Sequence, residues 1–169
     1  MINIDFCHSP HELLEFFKKT DSDYHPPLSE RQGGIEDFVR ECFIVGGESI
    51  VARQEGKIVG TFGYWNIGKS YWLHWLGVLD QFKKTSLPII LFKYALRERP
   101  LARNGTAYSR TWKTNKESQN LMERLGARRI SYNQVPVVIL NTLSLKKIPE
   151  RETVWYQIEI KKSYEILKC

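Results

Sequence analysis

One histidine stands in the middle of an apolar, aromatic segment. Within Tyr71 to Leu79, His74 is preceded by Trp-Leu and followed by Trp-Leu. An unperturbed imidazole titrates near pH ~6.5, so it can take up a proton at neutral pH. His74 is therefore a candidate general base, and the alternative is a hydrogen-bonded histidine in an aromatic core layer. Asp80, just after this segment, is a weaker candidate base and a candidate for ordering the turn.

A short basic and hydroxylated segment precedes a predicted helix. Lys-Lys-Thr-Ser, residues Lys83 to Ser86, comes before the apolar-faced segment Pro88 to Arg99. Ammonium groups, hydroxyls and a helix N-terminus together favour the binding of an anion. Pro88 has no amide hydrogen to contribute. The segment predicts an anion-binding turn, and the alternative is a plain loop in which Ser86 caps the helix.

Aromatic side chains are concentrated on two neighbouring predicted strands. Because successive strand residues point to opposite faces, several of these side chains must belong to the core. The others could line a pocket for a flat or cationic amine. The aromatic residues concerned are Tyr64, Trp65, Tyr71, Trp72 and Trp75.

The composition is that of one globular domain with an anionic ligand or partner. The chain has 169 residues, 42% hydrophobic and 26% charged, with a net charge of +6. These values exclude a mostly disordered chain, a fibrous repeat and a coiled coil. We expect no signal peptide, no membrane span and a cytoplasmic location. Three widely spaced cysteines predict neither a disulfide framework nor a metal site.

The elements that must position these residues form one mixed α+β pattern. Helical periodicity is followed by a hairpin with period two, and then by alternating strands and helices. We predict an α+β (α/β-like) fold, with a mixed sheet of about six or seven strands and about four flanking helices. The predicted helices are His11 to Lys19, Ile35 to Phe43, Pro88 to Arg99 and Lys116 to Leu125. The predicted strands are Ser49 to Gln54, Lys57 to Trp65, Tyr71 to Leu79, Thr106 to Trp112, Val135 to Leu140 and Thr153 to Ile160.

Two segments resemble motifs of the GNAT superfamily of CoA-dependent N-acetyltransferases. Thr114 to Ala127 is similar to the strand-to-helix motif in which an Asn opens a helix ending in Leu-Gly-Ala. Leu76 to Leu91 follows the spacing of the cofactor segment: a strand ending in Val, an aromatic residue, a basic residue and a turn into a helix. The likeness extends over Ser49 to Ala127, and elsewhere over the order of elements.

A third likeness concerns the strand that carries the histidine. Trp72 to Val78 is similar to the His-Leu-His-Val-Leu-Ala-Val strand of arylalkylamine N-acetyltransferases. His74 matches the second histidine of that strand, and Trp72 replaces the first. The loop Tyr24 to Ser29 also resembles a segment that covers the acceptor site in bacterial family members.

The resemblance implies acetyl-CoA as donor, no metal, and a division of the site by role. The implied donor-binding residues are Val78 and Leu79, whose amides would hold the thioester and pantetheine arm, with Lys83, Lys84, Thr85, Ser86 and Asn115. The implied catalytic base is His74, and Tyr108 is a candidate proton donor to the leaving thiolate that the resemblance itself does not supply. The implied acceptor-binding residues are Tyr24, His25, Trp65 and Trp72.

Two positions depart from the family pattern. Ser86 and Pro88 stand where the family has glycines, whose bare amides approach the pyrophosphate of CoA. Met122 stands where many members have a tyrosine that protonates the thiolate, and a thioether cannot donate a proton. Water or a hydroxyl on the preceding strand, Tyr108 or Ser109, is the replacement.

Three functions follow in order of preference. The first is an N-acetyltransferase acting on a primary amine of a small molecule, by direct attack in a ternary complex. The second is a noncatalytic binding module with the same fold that has lost CoA binding. The third is an acetyltransferase of aminoacyl-tRNA, or an RNA-binding protein, which is disfavoured because basic residues and aromatics form no contiguous stripe.

The expected organisation is a single domain over residues 1–169. Residues 1–47 are predicted to supply acceptor-side helices and a loop, 48–127 the CoA-binding core, and 128–169 the C-terminal strands. A homodimer paired through Thr153 to Ile160 is compatible with this arrangement.

Overall fold

The computed structural model describes residues 1–24, 26–44, 46–98, 104–142 and 152–168. None of the helices in these ranges has the length and hydrophobicity required to cross a membrane. The strands are β1 (Ile2–Phe6), β2 (Gly47–Gln54), β3 (Lys57–Ile67), β4 (Ser70–Val78), β5 (Thr106–Trp112), β6 (Arg128–Ile130) and β7 (Thr153–Glu159). The α-helices are α1 (Pro10–Lys19), α2 (Gly34–Glu41), α3 (Leu87–Glu98), α4 (Lys116–Arg124), α5 (Val137–Thr142) and α6 (Ile160–Leu167).

The strands form one mixed sheet in the order β1-β2-β3-β4-β5-β7-β6. The pairs β1–β2, β2–β3, β5–β7 and β6–β7 are antiparallel, whereas β4 and β5 are parallel. A parallel pair requires a crossover connection, and α3 lies in the connection between β4 and β5. The α+β class and the mixed sheet predicted from the sequence are confirmed.

One predicted strand is wrong. The β-branched run Val135 to Leu140 has strand character, but its residues form helix α5. The amides of Ile139 and Leu140 donate to the carbonyl of Pro136 at 2.9 and 3.2 Å. Proline has a fixed φ suited to the first turn of a helix, and here it overrides the strand preference of the residues that follow.

Three short elements were not expected from the sequence. Strand β1 pairs along its whole length with β2, and β6 pairs with β7 over only three residues. Helix α6 follows β7 directly, where the predicted strand was to end. β5 pairs with β7 along its whole length, whereas β6 pairs with it only from Trp155 to Gln157. The homodimer through this strand stays a prediction.

The chain divides into two compact units. The first comprises Met1–Trp65 and His74–Ala95, and the second Asn66–Leu73 and Leu96–Cys169. In the first unit, α1 and α2 bury their apolar stripes in one cluster, in which Trp75 of β4 also packs. The buried helix residues of this cluster are Leu13, Phe16, Phe17, Ile35, Phe38 and Val39.

Helix α3 covers residues of β3 and β4 that point away from this cluster. Phe62 of β3 meets Phe92 of α3 edge to face, with ring centroids 5.5 Å apart. At Gly60, an added methyl group would lie 3.2 Å from Leu91 of α3 and 2.9 Å from Val78 of β4. The alternation of strand side chains therefore assigns α1 and α2 to one face of this unit and α3 to the other.

The second unit is built on the β5–β7 pair. The register runs from Thr106 opposite Glu159 to Trp112 opposite Thr153. Helix α6 packs on the end of α4, where the Ser163 hydroxyl donates to the carbonyl of Leu125 at 2.7 Å. Gly126 ends α4 with φ +83°, as the Leu-Gly-Ala motif predicts.

Candidate functional site

His74 lies in a slot between aromatic rings. Its imidazole stacks on Trp65 of β3, with centroids 4.4 Å apart, and on Phe38 of α2, 5.2 Å away. Trp75 meets it edge-on at 5.1 Å. The side chain is 16% exposed. His74 is therefore packed like a core residue and yet keeps a solvent-accessible part, and its role as a base stays a prediction.

Strand β4 departs from strict alternation at this histidine. His74 and Trp75 are successive residues, but both contact Phe38 of α2. An added methyl group at Gly77 would also point to this helix face, 3.1 Å from the Tyr24 hydroxyl. Successive side chains of a regular strand point to opposite faces, so the irregularity falls between His74 and Trp75, as in a β-bulge.

A carboxylate faces the imidazole from α2. Oε2 of Glu41 lies 3.9 Å from Nε2 of His74, and the Glu41 side chain is 55% exposed. Burial raises the pKa of Glu41 above its ordinary value, and Asp37 adds to the rise, whereas Arg31 opposes it. The pair forms a buried nitrogen base with an acidic group at its solvent side.

Tyr24 belongs to the same aromatic cluster. Its ring lies 6.0 Å from Phe17 and 6.1 Å from Phe38, and Arg31 lies over it at 5.9 Å. Its hydroxyl is buried. Burial raises the pKa of Tyr24, so the hydroxyl is neutral at neutral pH. The other residue expected on this loop, His25, lies outside the described residues.

The two tryptophans expected to line an acceptor pocket are both packed inside. Trp65 is 5% and Trp72 is 3% exposed. Trp65 forms one wall of the His74 slot, while Trp72 lies in the second unit, 6.1 Å from Trp155. Neither indole offers an open face, so the aromatic surface expected from the sequence is here part of the core.

The two amides predicted to hold a thioester differ in availability. The N–H of Leu79 donates to the carbonyl of Val59 on β3 at 2.9 Å. Because backbone amides alternate in direction along a strand, the N–H of Val78 points away from β3. Of the two, only the Val78 amide is directed to the other edge of β4.

Lys83 is held by two carboxylates. Its Nζ lies 2.6 Å from Asp23 and 2.7 Å from Asp80, and these hydrogen bonds raise the pKa of the Lys83 ammonium. Asp80 belongs to a short 3-10 helix, Asp80–Phe82, that ends at Lys83. The ammonium expected to bind an anion is thus neutralised by groups of the protein itself, and Asp80 orders the turn.

The rest of the turn is largely committed to capping α3. The Thr85 hydroxyl donates to the carbonyl of Phe82 at 2.8 Å and accepts the N–H of Leu87 at 3.2 Å. The carbonyl of Ser86 accepts the N–H of Ile90 at 3.0 Å. The side chains of Lys84 and Ser86 are exposed. An anion at this turn would therefore meet those two side chains.

The remaining expected residues belong to the second unit. Tyr108 is 7% exposed and lies opposite Trp72 in the β4–β5 register. Burial raises the pKa of Tyr108, and Arg128 opposes the rise. The Asn115 side chain caps α4 by accepting the N–H of Ser118 at 2.9 Å. Met122 is 6% exposed, as expected for a core residue.

Three residues of this region, Glu41, Asp23 and Arg31, were not predicted from the sequence. Glu41 carries one signal that the sequence contains, a carboxylate in the last turn of a predicted helix, where the helix dipole disfavours it. Within the described residues, His, Cys, Asp and Glu side chains form no group of three or more that could hold a metal ion.

Solved structures identify the fold, although no family model and no curated protein matches the sequence. An acetyltransferase of the GNAT family from Staphylococcus aureus aligns over 93% of this chain and 98% of its own, with TM-score 0.72 and 18% identity. The chain has the GNAT fold. At this identity the likeness concerns architecture only.

Two further structures with the GNAT fold have more specific names. The ribosomal-protein-S18-alanine N-acetyltransferase from Escherichia coli covers 94% of this chain and 93% of its own, with TM-score 0.66 and 14% identity. An aminoglycoside 6'-N-acetyltransferase in complex with coenzyme A covers 94% and 97%, with TM-score 0.66 and 15% identity. The GNAT resemblance stated from the motifs is confirmed at the level of the fold.

Proposed function

We propose that this chain is an acetyl-CoA-dependent N-acetyltransferase that acetylates a primary amine of a small molecule by direct attack. The observation that carries the proposal is His74 on β4 of a GNAT fold, with Glu41 3.9 Å from its Nε2. The similar structures include acetyltransferases of an aminoglycoside and of a ribosomal protein. A small-molecule amine is thus one of two acceptor types named for this fold.

The first task of the site is to remove a proton. A primary amine is an ammonium ion at neutral pH, and an ammonium ion has no lone pair with which to attack. An imidazole near neutrality is suited to accept this proton. His74 is the proposed base, and Trp65 contributes by holding its ring in place. Tyr24 and His25 stay proposed acceptor contacts.

The second task is to stabilise charge on the thioester oxygen. Acetyl-CoA supplies the acetyl group as a thioester, and the Val78 amide is the proposed donor to its carbonyl oxygen. The Leu79 amide is left out, because it already donates to Val59. Tyr108 is the proposed donor of the proton that the leaving thiolate takes up. Burial raises the pKa of Tyr108, so its hydroxyl stays protonated at neutral pH.

The fit to the pyrophosphate of CoA is the weakest part of the site. Lys83 is neutralised, Thr85 is engaged in the cap, and Pro88 has no amide hydrogen. Lys84 and Ser86 are the proposed contacts, with Asn115 for the pantetheine part. Exposed groups of this kind bind anions more weakly than amides of a glycine-rich turn.

This turn favours a second candidate function, a noncatalytic binding module with the GNAT fold. In a protein that no longer binds CoA, the basic residues of this turn could form ion pairs with carboxylates of the protein itself. The Lys83 contacts to Asp23 and Asp80 have this character. The two candidates differ in one measurable property, namely the transfer of an acetyl group to an amine.

The experiment is a steady-state assay of CoA thiol release from acetyl-CoA. The acceptor panel contains arylalkylamines, amino sugars, aminoglycosides and polyamines. We expect acetylation of at least one class, with intersecting initial-velocity plots because donor and acceptor bind together. Thiol release with none of them, or parallel plots, would contradict the proposal.

The variants test the proposed base directly. His74→Phe keeps an aromatic ring in the slot but has no nitrogen, and we expect kcat to fall by about 100-fold or more. His8→Gln, at an exposed histidine outside the site, is the matched control and keeps the original kcat. A folded His74→Phe protein with unchanged kcat would remove His74 from the mechanism.

A further inference from the structure

We propose that Glu41 is the positioning residue of His74, stabilising its imidazolium and connecting its buried Nε2 with solvent. In its catalytic meaning this inference rests on the function proposed above. Nε2 of His74 is buried, and Oε2 of Glu41 lies 3.9 Å away on a side chain that is 55% exposed. Water therefore reaches the carboxylate, while the nitrogen beside it is shielded.

The aromatic slot gives the imidazole a defined orientation. Trp65 and Phe38 stack on its two faces with interplanar angles of 26° and 25°. A rotation that moved Nε2 away from Glu41 would sweep the ring through these neighbours. The contact with the carboxylate thus follows from packing on both faces, and it persists without a hydrogen bond between the two side chains.

Glu41 occupies a position that helix energetics disfavour. It is the last residue of α2, where the partial negative charge of the helix end repels a carboxylate. Asp37 stands one turn earlier on the same helix and adds to this repulsion. Arg31 offsets part of this repulsion. Departures from local sequence rules are expected at functional sites, and Glu41 is one such departure.

Other ionisable groups lie near the pair. Arg31 and Asp37 act on Glu41 with opposite signs, and Arg31 lies over the Tyr24 ring. Tyr24 and Cys42 are buried, and burial raises the pKa of both, so they are neutral at neutral pH. Trp65, Phe38 and Trp75 carry no charge. Glu41 is a charged group with a described contact to the imidazole, at 3.9 Å.

The consequence is a short proton route. When His74 takes the proton of the acceptor amine, a positive charge forms inside an aromatic slot that cannot solvate it. The Glu41 carboxylate compensates that charge across 3.9 Å. The Glu41 side chain, which is 55% exposed, then moves to within hydrogen-bond distance of Nε2, takes up the Nε2 proton and releases it to water, which leaves a neutral imidazole.

The direct test is a nuclear magnetic resonance titration of the whole chain without ligand, with labelled histidine. The signal of His74 is identified among those of the four histidines as the one missing from a His74→Gln variant. In Glu41→Gln we expect the pKa of His74 to fall by about 0.5 to 1 pH unit. Asp37→Asn, which removes the same charge from the same helix, is the matched control. An equal shift in both variants, or none in Glu41→Gln, would overturn the proposal.

A kinetic measurement separates this inference from the proposed function. In Glu41→Gln we expect the acidic limb of the plot of kcat against pH to move to lower pH by the same amount as the pKa of His74. In Glu41→Asp we expect part of this shift to be reversed. If the protein acetylates no amine, the titration still decides whether Glu41 acts on His74. If His74 is essential but its pKa is unchanged in Glu41→Gln, the positioning role is refuted while the proposed function stands.

Discussion

His74 combines the packing of a core residue with a contact to a partly exposed carboxylate. Its ring is packed between Trp65 and Phe38 with the close stacking of a buried side chain. Its Nε2 faces a carboxylate that is more than half exposed. A core histidine requires only the packing, whereas a base also needs a charge partner and a path for the proton. The Glu41 contact supplies both.

Another single residue, Lys83, determines how strongly the turn before α3 binds an anion. Two carboxylates already neutralise it, so we expect Lys83→Ala to leave the affinity for acetyl-CoA within about twofold. Asp23→Asn leaves the ammonium with Asp80 alone, and we expect the dissociation constant to fall by about two- to fivefold, as the strength of an exposed ion pair allows. Equilibrium dialysis with labelled acetyl-CoA measures both.

The control for this prediction removes a similar charge elsewhere. Asp37→Asn disrupts the exposed pair with Arg40 and should leave the dissociation constant unchanged. A tenfold loss of affinity in Lys83→Ala would show that the lysine abandons Asp23 and Asp80 to bind the pyrophosphate.

At the scale of elements, the charged form of Glu41 destabilises the C-terminal end of helix α2. Burial and Asp37 raise the pKa of Glu41, so the folded state disfavours its charged form. The contribution of Glu41 to stability is therefore most favourable below its ordinary carboxyl pKa and is lost as pH rises through the raised value. We expect Glu41→Gln to be more stable at pH 8 by about 0.3–1 kcal/mol. The gain should vanish near pH 3.5, and calorimetric melting at both pH values checks this. A destabilised Glu41→Gln protein at pH 8 would contradict it.

The packing of β4 against β3 depends on a glycine, Gly63, which has no side chain. The indole of Trp75 lies flat over Gly63, where an added methyl group would lie 1.8 Å from the ring, and its Nε1 donates to the Thr61 hydroxyl at 3.3 Å. We expect Gly63→Ala to cost about 3 kcal/mol or more, because Trp75 must leave the cluster behind His74. Urea unfolding followed by tryptophan fluorescence measures the loss.

A second glycine provides the comparison. Gly68 has φ +64° and open space around it, so Gly68→Ala costs only the conformational penalty of about 1–2 kcal/mol. A Gly63→Ala protein as stable as Gly68→Ala would mean that Trp75 repacks without difficulty.

At the scale of the whole molecule, the fold was accessible from the sequence, whereas the contacts of the site were not. Periodicity and turn residues predicted four helices and most strands, and the helix motif ending at Gly126 predicted the GNAT architecture. Strands β1 and β6 and helix α6, of five, three and eight residues, were not predicted because such short runs carry too little pattern. Pro136 favoured helix α5 over the predicted strand. The Lys83 and Asp23 contact joins residues 60 apart, which no local pattern reveals.

The proposed function requires that this GNAT fold binds an acetyl donor. An isothermal calorimetric titration of the purified chain with acetyl-CoA and, separately, with CoA tests this requirement. We expect one site per chain with a micromolar dissociation constant for acetyl-CoA. No binding up to millimolar concentration would contradict it, and would favour a noncatalytic module in which the ion pairs of Lys83 have closed the donor site.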